Sequence, residues 1–138
     1  MNPSSTTTTR VTAADEAQSF SAYQEIRAAL QPYIDSAKSG DGVLTRTAFY
    51  DHAHIVGTVK GELYNMDADT FQQAVTQGGP SPEVQHHIAW IDITGSSAAV
   101  KLEFIDWGGM RYTDYLVLFK HEGHWKISGK VYDSHANN

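Results

Sequence analysis

The first third of the chain places apolar residues at steps of three and four. They form one stripe between Phe20 and Ala37, which predicts an amphipathic helix of about 20 residues. Pro32 lies inside this segment and has no amide hydrogen to donate, so we expect it to kink or split the helix. The Ser-Gly-Asp-Gly segment at 39–42 then ends it. The stripe consists of Phe20, Tyr23, Ile26, Leu30, Tyr33, Ile34 and Ala37.

Two shorter helices and a hairpin are predicted next. Residues 43–50 form a short helix, 52–56 begin an extended segment, and 57–64 form a small hairpin. The Asp67 side chain can accept a hydrogen bond from the free amides at a helix start, so a third helix begins there. The buried side of that helix consists of Phe71, Ala74 and Val75.

From Val84 onward the apolar pattern changes to alternation, which is typical of strands. Strands are predicted at 85–94, 98–106, 110–121 and 124–133, separated by glycine-containing turns. Because the connections are short, these strands should form an antiparallel meander. Helices first and strands last indicate an α+β fold with the helices on one face of the sheet.

The predicted strand 110–121 carries apolar side chains on both of its faces. A sheet that is buried on both sides needs a second cover besides the helices. We therefore expect a homodimer that pairs through the outer face of the sheet. One face holds Leu116 and Leu118, and the other holds Tyr115, Val117 and Phe119.

Length and composition limit the classes of function. The 138 residues suffice for one domain, predicted at 13–138 after a Ser/Thr-rich disordered tail at 1–12. Lys and Arg number 10 against 16 Asp and Glu, so the net charge is −6 and we expect no nucleic-acid partner. No apolar run is long enough for a membrane span, and the first residues lack a signal core, which favours a cytoplasmic protein. The absence of cysteine excludes thiolate chemistry.

Four segments carry a resemblance to a known fold family. They are YIDSAKSGD at 33–41, FYDHAHIVG at 49–57, TDYLVL at 113–118 and GHWKISGKVY at 123–132. With the order of elements, they resemble the nuclear-transport-factor-2-like superfamily, in the branch of the putative lumazine-binding and SnoaL-like proteins. The resemblance implies a cone-shaped fold, in which a curved, mostly antiparallel sheet packs against three N-terminal helices. It also implies a small-molecule cavity between the two layers, although the fold alone assigns no reaction.

The resemblance implies a catalytic pair as well. Tyr33 falls where the related ketosteroid isomerases carry a helix-borne tyrosine that donates to an enolate oxygen. Asp114 falls on the strand position of their protonated acid. An aspartate that shares a strand face with Leu116 and Leu118 is poorly solvated, which favours its neutral form. In the alternative interpretation, Tyr33 only completes the helix stripe and Asp114 only satisfies a buried backbone group or Lys130.

The general base of those isomerases has no counterpart here, because its position is occupied by Gly57. The nearest titratable groups are His52 and His54, whose spacing places them on one face of a strand. A neutral imidazole suits a base at neutral pH, and scytalone-dehydratase-like members pair a histidine with a carboxylate. We therefore expect His54 to move a proton beside Asp114. Alternatively, both histidines are surface or packing residues.

Metal and cofactor sites are not expected. His52 and His54 lack an acidic residue at the spacing that a metal-binding triad requires. The sequence also contains no phosphate-binding glycine loop and no nucleophile elbow. We therefore predict chemistry without a cofactor.

Aromatic and polar residues along the strands offer walls for a ligand. Trp90 shares a predicted face with Ile88 and Asp92, a mixed lining that suits either a pocket or ordinary packing. Lys130 can hold an anionic substrate or remain a solvated strand lysine. The predicted ligand-binding residues are Tyr50, His52, Trp90, Phe104, Tyr112 and Lys130.

These residues together predict a small-molecule-binding domain that acts as a cofactor-independent lyase or isomerase, of the SnoaL-like cyclase or dehydratase type. Asp114 and Tyr33 would polarise a carbonyl or hydroxyl group while His54 moves a proton. The alternative is a non-catalytic ligand-binding or dimeric accessory protein of the same fold. An open cavity with Asp114 and a histidine within about 3 Å of one bound ligand atom favours catalysis. A cavity plugged by Trp90, Tyr112 or Phe104 favours the alternative.

Overall fold

Three helices and six strands make up the described part of the chain. The structure is a computed structural model, which describes residues 13–137 and the side chains of residues 20–135. The predicted tail at 1–12 lies outside the described residues. None of the described helices is long and apolar enough to span a lipid bilayer. In chain order the elements are α1 (Ala13–Ser39), α2 (Gly42–Thr47), β1 (Phe49–Val59), β2 (Glu62–Asp67), α3 (Ala68–Gly78), β3 (Gln85–Thr94), β4 (Ser97–Trp107), β5 (Met110–His121) and β6 (His124–Asn137).

The strands form one sheet in the order β2-β1-β6-β5-β4-β3. β1 runs parallel to β6, and the other neighbouring pairs are antiparallel. The last four strands are the predicted meander, and the predicted hairpin, now β1 and β2, extends the sheet beside β6. Lys60 and Gly61 join β1 to β2 with φ values of 52° and 82°, the left-handed conformation that a two-residue hairpin turn requires. The α+β fold with a curved, mostly antiparallel sheet is confirmed.

α1 runs through Pro32 without a break, so the predicted split of this helix does not occur. A proline removes one amide donor, but Leu30 and Ile34 on either side are buried and hold both halves of the helix against the core. The buried stripe is also shorter than predicted, since Phe20 and Tyr23 are exposed. The C-terminal part of α1 therefore provides its contact with the sheet.

α2 is shorter than predicted because the sheet takes up the residues that follow it. Asp41 caps the helix by accepting a hydrogen bond from the Leu44 amide at 3.1 Å. The helix ends at Thr47, and Phe49 is buried and pairs with Ile127 of β6. Strand pairing therefore replaces the last turn of the predicted helix.

The core lies between the helices and the inner face of the sheet. Along β5, Leu116 and Leu118 are buried, whereas Tyr115 and Val117 are 50% and 53% exposed. The alternation assigned from the sequence is thus correct for this strand. The helices therefore cover the inner face of the sheet, and the outer face stays exposed.

A bulge in β3 changes the face of Trp90. The register against β4 shifts at Ala89, so that Ile88 pairs with Leu102 and Trp90 pairs with Lys101. An extra residue reverses the alternation of the side chains that follow it. Trp90 consequently points outward, and the prediction that it shares a face with Ile88 is wrong.

Candidate active site

A second bulge, in β6, turns Lys130 into the core. Ile127 and Gly129 pair with consecutive residues of β5, so Ser128 between them has no partner on that strand. The extra residue reverses the side-chain alternation beyond it. Lys130 therefore points inward with 4% of its surface exposed, and Val131 points outward with 60% exposed.

Lys130 meets Tyr33 of α1 and Asp114 of β5 inside the core. Lys130 Nζ donates a hydrogen bond to Tyr33 Oη at 2.5 Å, and Tyr33 Oη donates one to Asp114 Oδ2, also at 2.5 Å. Lys130 Nζ lies 3.6 Å from Asp114 Oδ2, which is an ion-pair distance. Tyr33 and Asp114 are both completely buried. We call this chain of three residues the buried relay.

The second carboxylate oxygen of Asp114 is left without a donor. Oδ1 is buried and accepts no hydrogen bond from any of the described residues. A buried acceptor without a partner carries the full cost of losing its water. A proton on the carboxyl group lowers that cost, so Asp114 is suited to accept one.

Four aromatic rings surround the ammonium group of Lys130. Nζ lies 4.4 Å from the ring centroid of Phe71, 4.8 Å from those of Tyr33 and Tyr132, and 5.4 Å from that of Trp107. Ring faces attract a cation at distances within about 6 Å. The rings therefore compensate part of the hydration that Lys130 loses on burial.

Burial governs the protonation of the relay. Loss of hydration raises the pKa of Asp114, although the charge of Lys130 and the hydrogen bond from Tyr33 oppose the rise. Loss of hydration lowers the pKa of Lys130, against the attraction of the Asp114 carboxylate. The pKa of Tyr33 lies well above its usual value, first because of burial and then because of the Asp114 charge, so the phenol is neutral. Both shifts in the Lys–Asp pair favour a neutral amine and a neutral acid.

A cavity of about 270 Å³ opens beside the relay, between α3, the β1–β2 hairpin and the inner face of the sheet. Lys130 is the one charged side chain among the described residues that line it. A mostly apolar hollow with few polar groups is the usual form of a small-molecule site. The aromatic and sulfur-containing part of the wall consists of Tyr64, Met66, Phe71, Trp107, Tyr112 and Tyr132.

The structure places five of the predicted site residues at or beside this cavity. Tyr33, Asp114 and Lys130 form the relay, and Tyr112 lines the cavity. Phe104 is completely buried and packs edge-on against the ring of Tyr33, with centroids 5.6 Å apart. Phe104 thus supports the tyrosine of the relay.

The predicted pairing of His54 with Asp114 is wrong. Ala53 and Ile55 of β1 are buried, so His54 between them points to the opposite side of the strand and is exposed. His52 is exposed on that same side. Among the described residues, no group of three or more His, Cys, Asp or Glu side chains is arranged to hold a metal ion.

Tyr50, His52 and Trp90 also lie away from the cavity. The Tyr50 hydroxyl donates to the backbone oxygen of Phe119 at 2.7 Å, and its ring stacks on His52 with centroids 5.1 Å apart. The ring of Trp90 lies 6.2 Å from that of Tyr115 on the outer face. These three predicted ligand-binding residues therefore belong to the outer surface of the sheet.

Gly57 has a structural reason to carry no side chain. A Cβ at this position would collide with the backbone oxygen and the ring of Tyr132. Tyr132 occupies the space that a carboxylate base would need. The titratable chemistry at the cavity consequently comes from the relay and not from β1.

Sequence reasoning missed the inward position of Lys130 and the contribution of Phe71. Gly129 was the available signal for Lys130, because a glycine within a strand often marks a bulge. Phe71 was assigned correctly to the buried side of α3, but no pattern indicated that it faces a cation.

The sequence of this domain matches a known protein family. Residues 21–133 match the family described as putative lumazine-binding. The chain belongs to this family. The matched range includes all three residues of the buried relay.

The chain is also similar to an aldolase and to solved structures. It is 25% identical over 116 residues to aldolase FrzH from a Cladobotryum species, which is 83% of this chain and 93% of that protein. Its structure is similar to an NTF2-like protein of unknown function from Shewanella baltica OS155, with a TM-score of 0.79, 31% identity, and coverage of 93% of this chain and 100% of the other. A second NTF2-like protein of unknown function, from Methylobacillus flagellatus KT, gives a TM-score of 0.79 and 31% identity over 84% of this chain and 94% of the other. The nuclear-transport-factor-2-like fold is thereby confirmed.

Proposed function

We propose that this protein is a cofactor-independent lyase or isomerase that acts on a small carbonyl compound by proton transfer through the buried relay. The observation that carries the proposal is the position of Lys130. Lys130 lines an apolar cavity, and its Nζ begins a hydrogen-bond chain to Asp114. A titratable group with a perturbed pKa at the wall of a cavity is the common pattern of a catalytic site.

The relay can move one proton between the cavity and Asp114 without water. Lys130 Nζ donates to Tyr33, and Tyr33 donates to Asp114, so a shift of both protons by one step carries a proton from the cavity wall to the carboxyl group. When negative charge develops on a carbonyl oxygen, Lys130 can donate to that oxygen in a site of low polarity. Lys130 thus takes the role that the sequence assigned to His54.

The similarity to aldolase FrzH supports carbon–carbon lyase chemistry within this class. Formation and cleavage of an aldol both need charge stabilised on a carbonyl oxygen and a proton moved nearby. The relay and the cavity supply both requirements from the chain itself.

Hydrogen exchange at the carbon next to a ketone carbonyl tests the proposal. Isomerases of this kind must break a C–H bond at that carbon, and lyases must break either that bond or a C–C bond at the same carbon. Cyclohexanone and acetone in D2O serve as probes, with NMR as the readout. We expect the wild type to exchange these protons faster than buffer, and Lys130→Met to lose at least ~10²-fold of that rate. Lys38→Met, which alters an exposed helix lysine, is the matched control and should exchange at the wild-type rate.

Two outcomes contradict the proposal. Equal exchange by the wild type and Lys130→Met would remove Lys130 from the chemistry. Binding of the ketones without any exchange above buffer would favour the alternative, a non-catalytic ligand-binding protein.

We also propose that two copies pair through the outer face of the sheet. This face exposes a group of large apolar side chains that the helices do not cover. Exposed apolar patches of this kind commonly mark interfaces. The group consists of Trp90, Tyr115, Val117, Phe119 and Val131.

A further inference from the structure

Lys130 lines the cavity, and its amine is hydrogen-bonded to a chain that ends in an acceptor for its proton. We propose that Lys130 is a covalent catalyst, which forms a Schiff base with the carbonyl carbon of an uncharged small ketone or aldehyde in the cavity. This inference rests on the proposed function and specifies how the lysine acts. It assigns a nucleophilic role to a residue that could otherwise serve only as a proton donor.

A lysine becomes a nucleophile only when its amine is neutral, and the relay provides the means. The hydrogen bonds run from Lys130 Nζ to Tyr33 Oη and from Tyr33 to Asp114 Oδ2. Shifting each proton one position along this chain converts an ammonium and a carboxylate into an amine and a carboxylic acid. Because all three groups are buried, the uncharged pair avoids the cost of holding two ions away from water.

Two other ionisable groups at the cavity, Tyr112 and Tyr132, do not oppose this state. Burial raises the pKa of Tyr132 to about 12, and burial also raises the pKa of Tyr112. Both phenols are therefore neutral at neutral pH, as is Tyr33. Among the described residues, Asp114 carries the one carboxyl group that forms an ion pair with Lys130.

The condensation balances with the groups present. The lone pair of Lys130 Nζ forms a bond to the carbonyl carbon, and the π electrons move to the oxygen. That oxygen collects the carboxyl proton of Asp114 through Tyr33, together with one amine proton, and leaves as water when the C–O bond breaks. One amine, one carboxylic acid and one carbonyl thus become an iminium ion, a carboxylate and one water molecule.

The surroundings stabilise the products of that step. The iminium nitrogen stays where the ammonium was, inside the four aromatic rings that attract a cation. The new carboxylate of Asp114 restores the ion pair. An iminium ion withdraws electrons from the neighbouring carbon, which is the requirement for aldol cleavage and for proton loss at that carbon.

The cavity wall also indicates the class of substrate. Lys130 is the single charged side chain among the described lining residues, and it is consumed by the imine. No second cation in that lining can bind a phosphate or a carboxylate. The substrate is therefore an uncharged carbonyl compound with an apolar body, of a size that fits about 270 Å³.

Reductive trapping tests the inference. The wild-type protein is incubated with cyclohexanone and sodium cyanoborohydride, and the adduct is located by intact-mass and peptide mass spectrometry. We expect one cyclohexyl group per chain, on Lys130, formed at least ten times faster than on any other lysine. Lys38→Met should give the same adduct, and Lys130→Met should give none at that rate.

A second probe needs no reductant. Pentane-2,4-dione condenses with a neutral lysine to a vinylogous amide, which absorbs in the near ultraviolet. The wild type and Lys38→Met should develop this absorbance, whereas Lys130→Arg should not, although it keeps a positive charge. Labelling spread evenly over exposed lysines, or unchanged in Lys130→Met, would overturn the inference.

Failure of the inference can be told apart from failure of the proposed function. Lys130-dependent proton exchange without any adduct would leave the proposed function in place and overturn the Schiff base. Absence of both would overturn both. If Lys130→Met does not fold, the double variant Lys130→Met with Asp114→Asn removes both members of the ion pair together, and its near-ultraviolet circular dichroism reports whether it folds.

Discussion

Asp114 and Lys130 depend on each other because both are buried in the core. Removing one partner of a buried ion pair leaves the other charge uncompensated, which is why single replacements at such pairs cost more than double ones. Tyr33 joins the two groups, and because its pKa is raised it passes its proton to Asp114 only as it receives one from Lys130. At the scale of single residues, the relay is therefore one unit whose members exchange a proton.

Lys130→Met should make stability depend on pH through Asp114. Without the lysine, the buried acid stays protonated in the folded state, while the unfolded chain ionises above a pKa of about 3.9. The free energy of unfolding should therefore be fully retained below that pH. It should fall by up to about 1.4 kcal/mol per pH unit above it, until the pH reaches the folded pKa of Asp114. Urea denaturation at a series of pH values measures this slope.

The double variant Lys130→Met with Asp114→Asn is the control for that slope, because it has no acid at position 114. All other ionisable groups are the same in both proteins. Identical pH slopes in the two variants would show that Asp114 is not held neutral by its surroundings.

β1 lies against Tyr132 of β6 at Gly57, where a side chain would not fit. The space beside Gly57 is filled by the backbone and ring of Tyr132, which also forms part of the cavity wall and faces Lys130. At the scale of elements, the parallel pairing of β1 with β6 thus fixes one side of the cavity. Gly57 serves packing rather than flexibility.

Gly57→Ala should destabilise the fold because the new methyl group must displace Tyr132. Overpacking of this kind costs about 1–3 kcal/mol, and a shifted Tyr132 ring should also weaken ketone binding. Gly78→Ala is the matched control, since nothing lies within 4 Å of a Cβ at that helical position. It should be neutral or slightly stabilising in urea denaturation. Equal stability of the two variants would contradict the packing role of Gly57.

The regular strands show how far the sequence could predict the site. β5 has no bulge between Thr113 and Val117, so alternation with Leu116 placed Asp114 correctly on the inner face. Lys130 could not be placed by alternation, because its face depends on one unpaired residue at Ser128. The error at His54 has another cause: the buried neighbour Ala53 is too small to give a clear apolar signal.

The whole molecule has two different faces on one sheet. The inner face holds the relay and the cavity, and the outer face exposes large apolar side chains next to Tyr50 and His52. Polar residues that the sequence had grouped as one site are divided between these faces. The family resemblance correctly indicated the fold, and the two residues that it paired, Tyr33 and Asp114, are in contact. It could not assign strand faces that are set by local bulges.

Val117→Lys should dissociate the proposed dimer. Val117 lies on the outer face between Tyr115 and Phe119, and a charge in the centre of an apolar interface is costly to bury. Sedimentation equilibrium at micromolar concentration should show a wild-type dimer and a monomeric variant with unchanged circular dichroism. Val43→Lys, at an exposed valine of α2, should remain dimeric. A wild-type monomer would contradict the proposal.

The titration of Lys130 tests most directly whether the cavity wall carries a neutral, reactive amine. Heteronuclear NMR of protein labelled on the lysine side chains follows each ammonium group, and the signal missing from Lys130→Met identifies Lys130. We predict that Lys130 loses its charge at a lower pH than the exposed lysines, and at a still lower pH in Asp114→Asn, which lacks the carboxylate that holds the proton. Titration of Lys130 together with the exposed lysines in both proteins would contradict it.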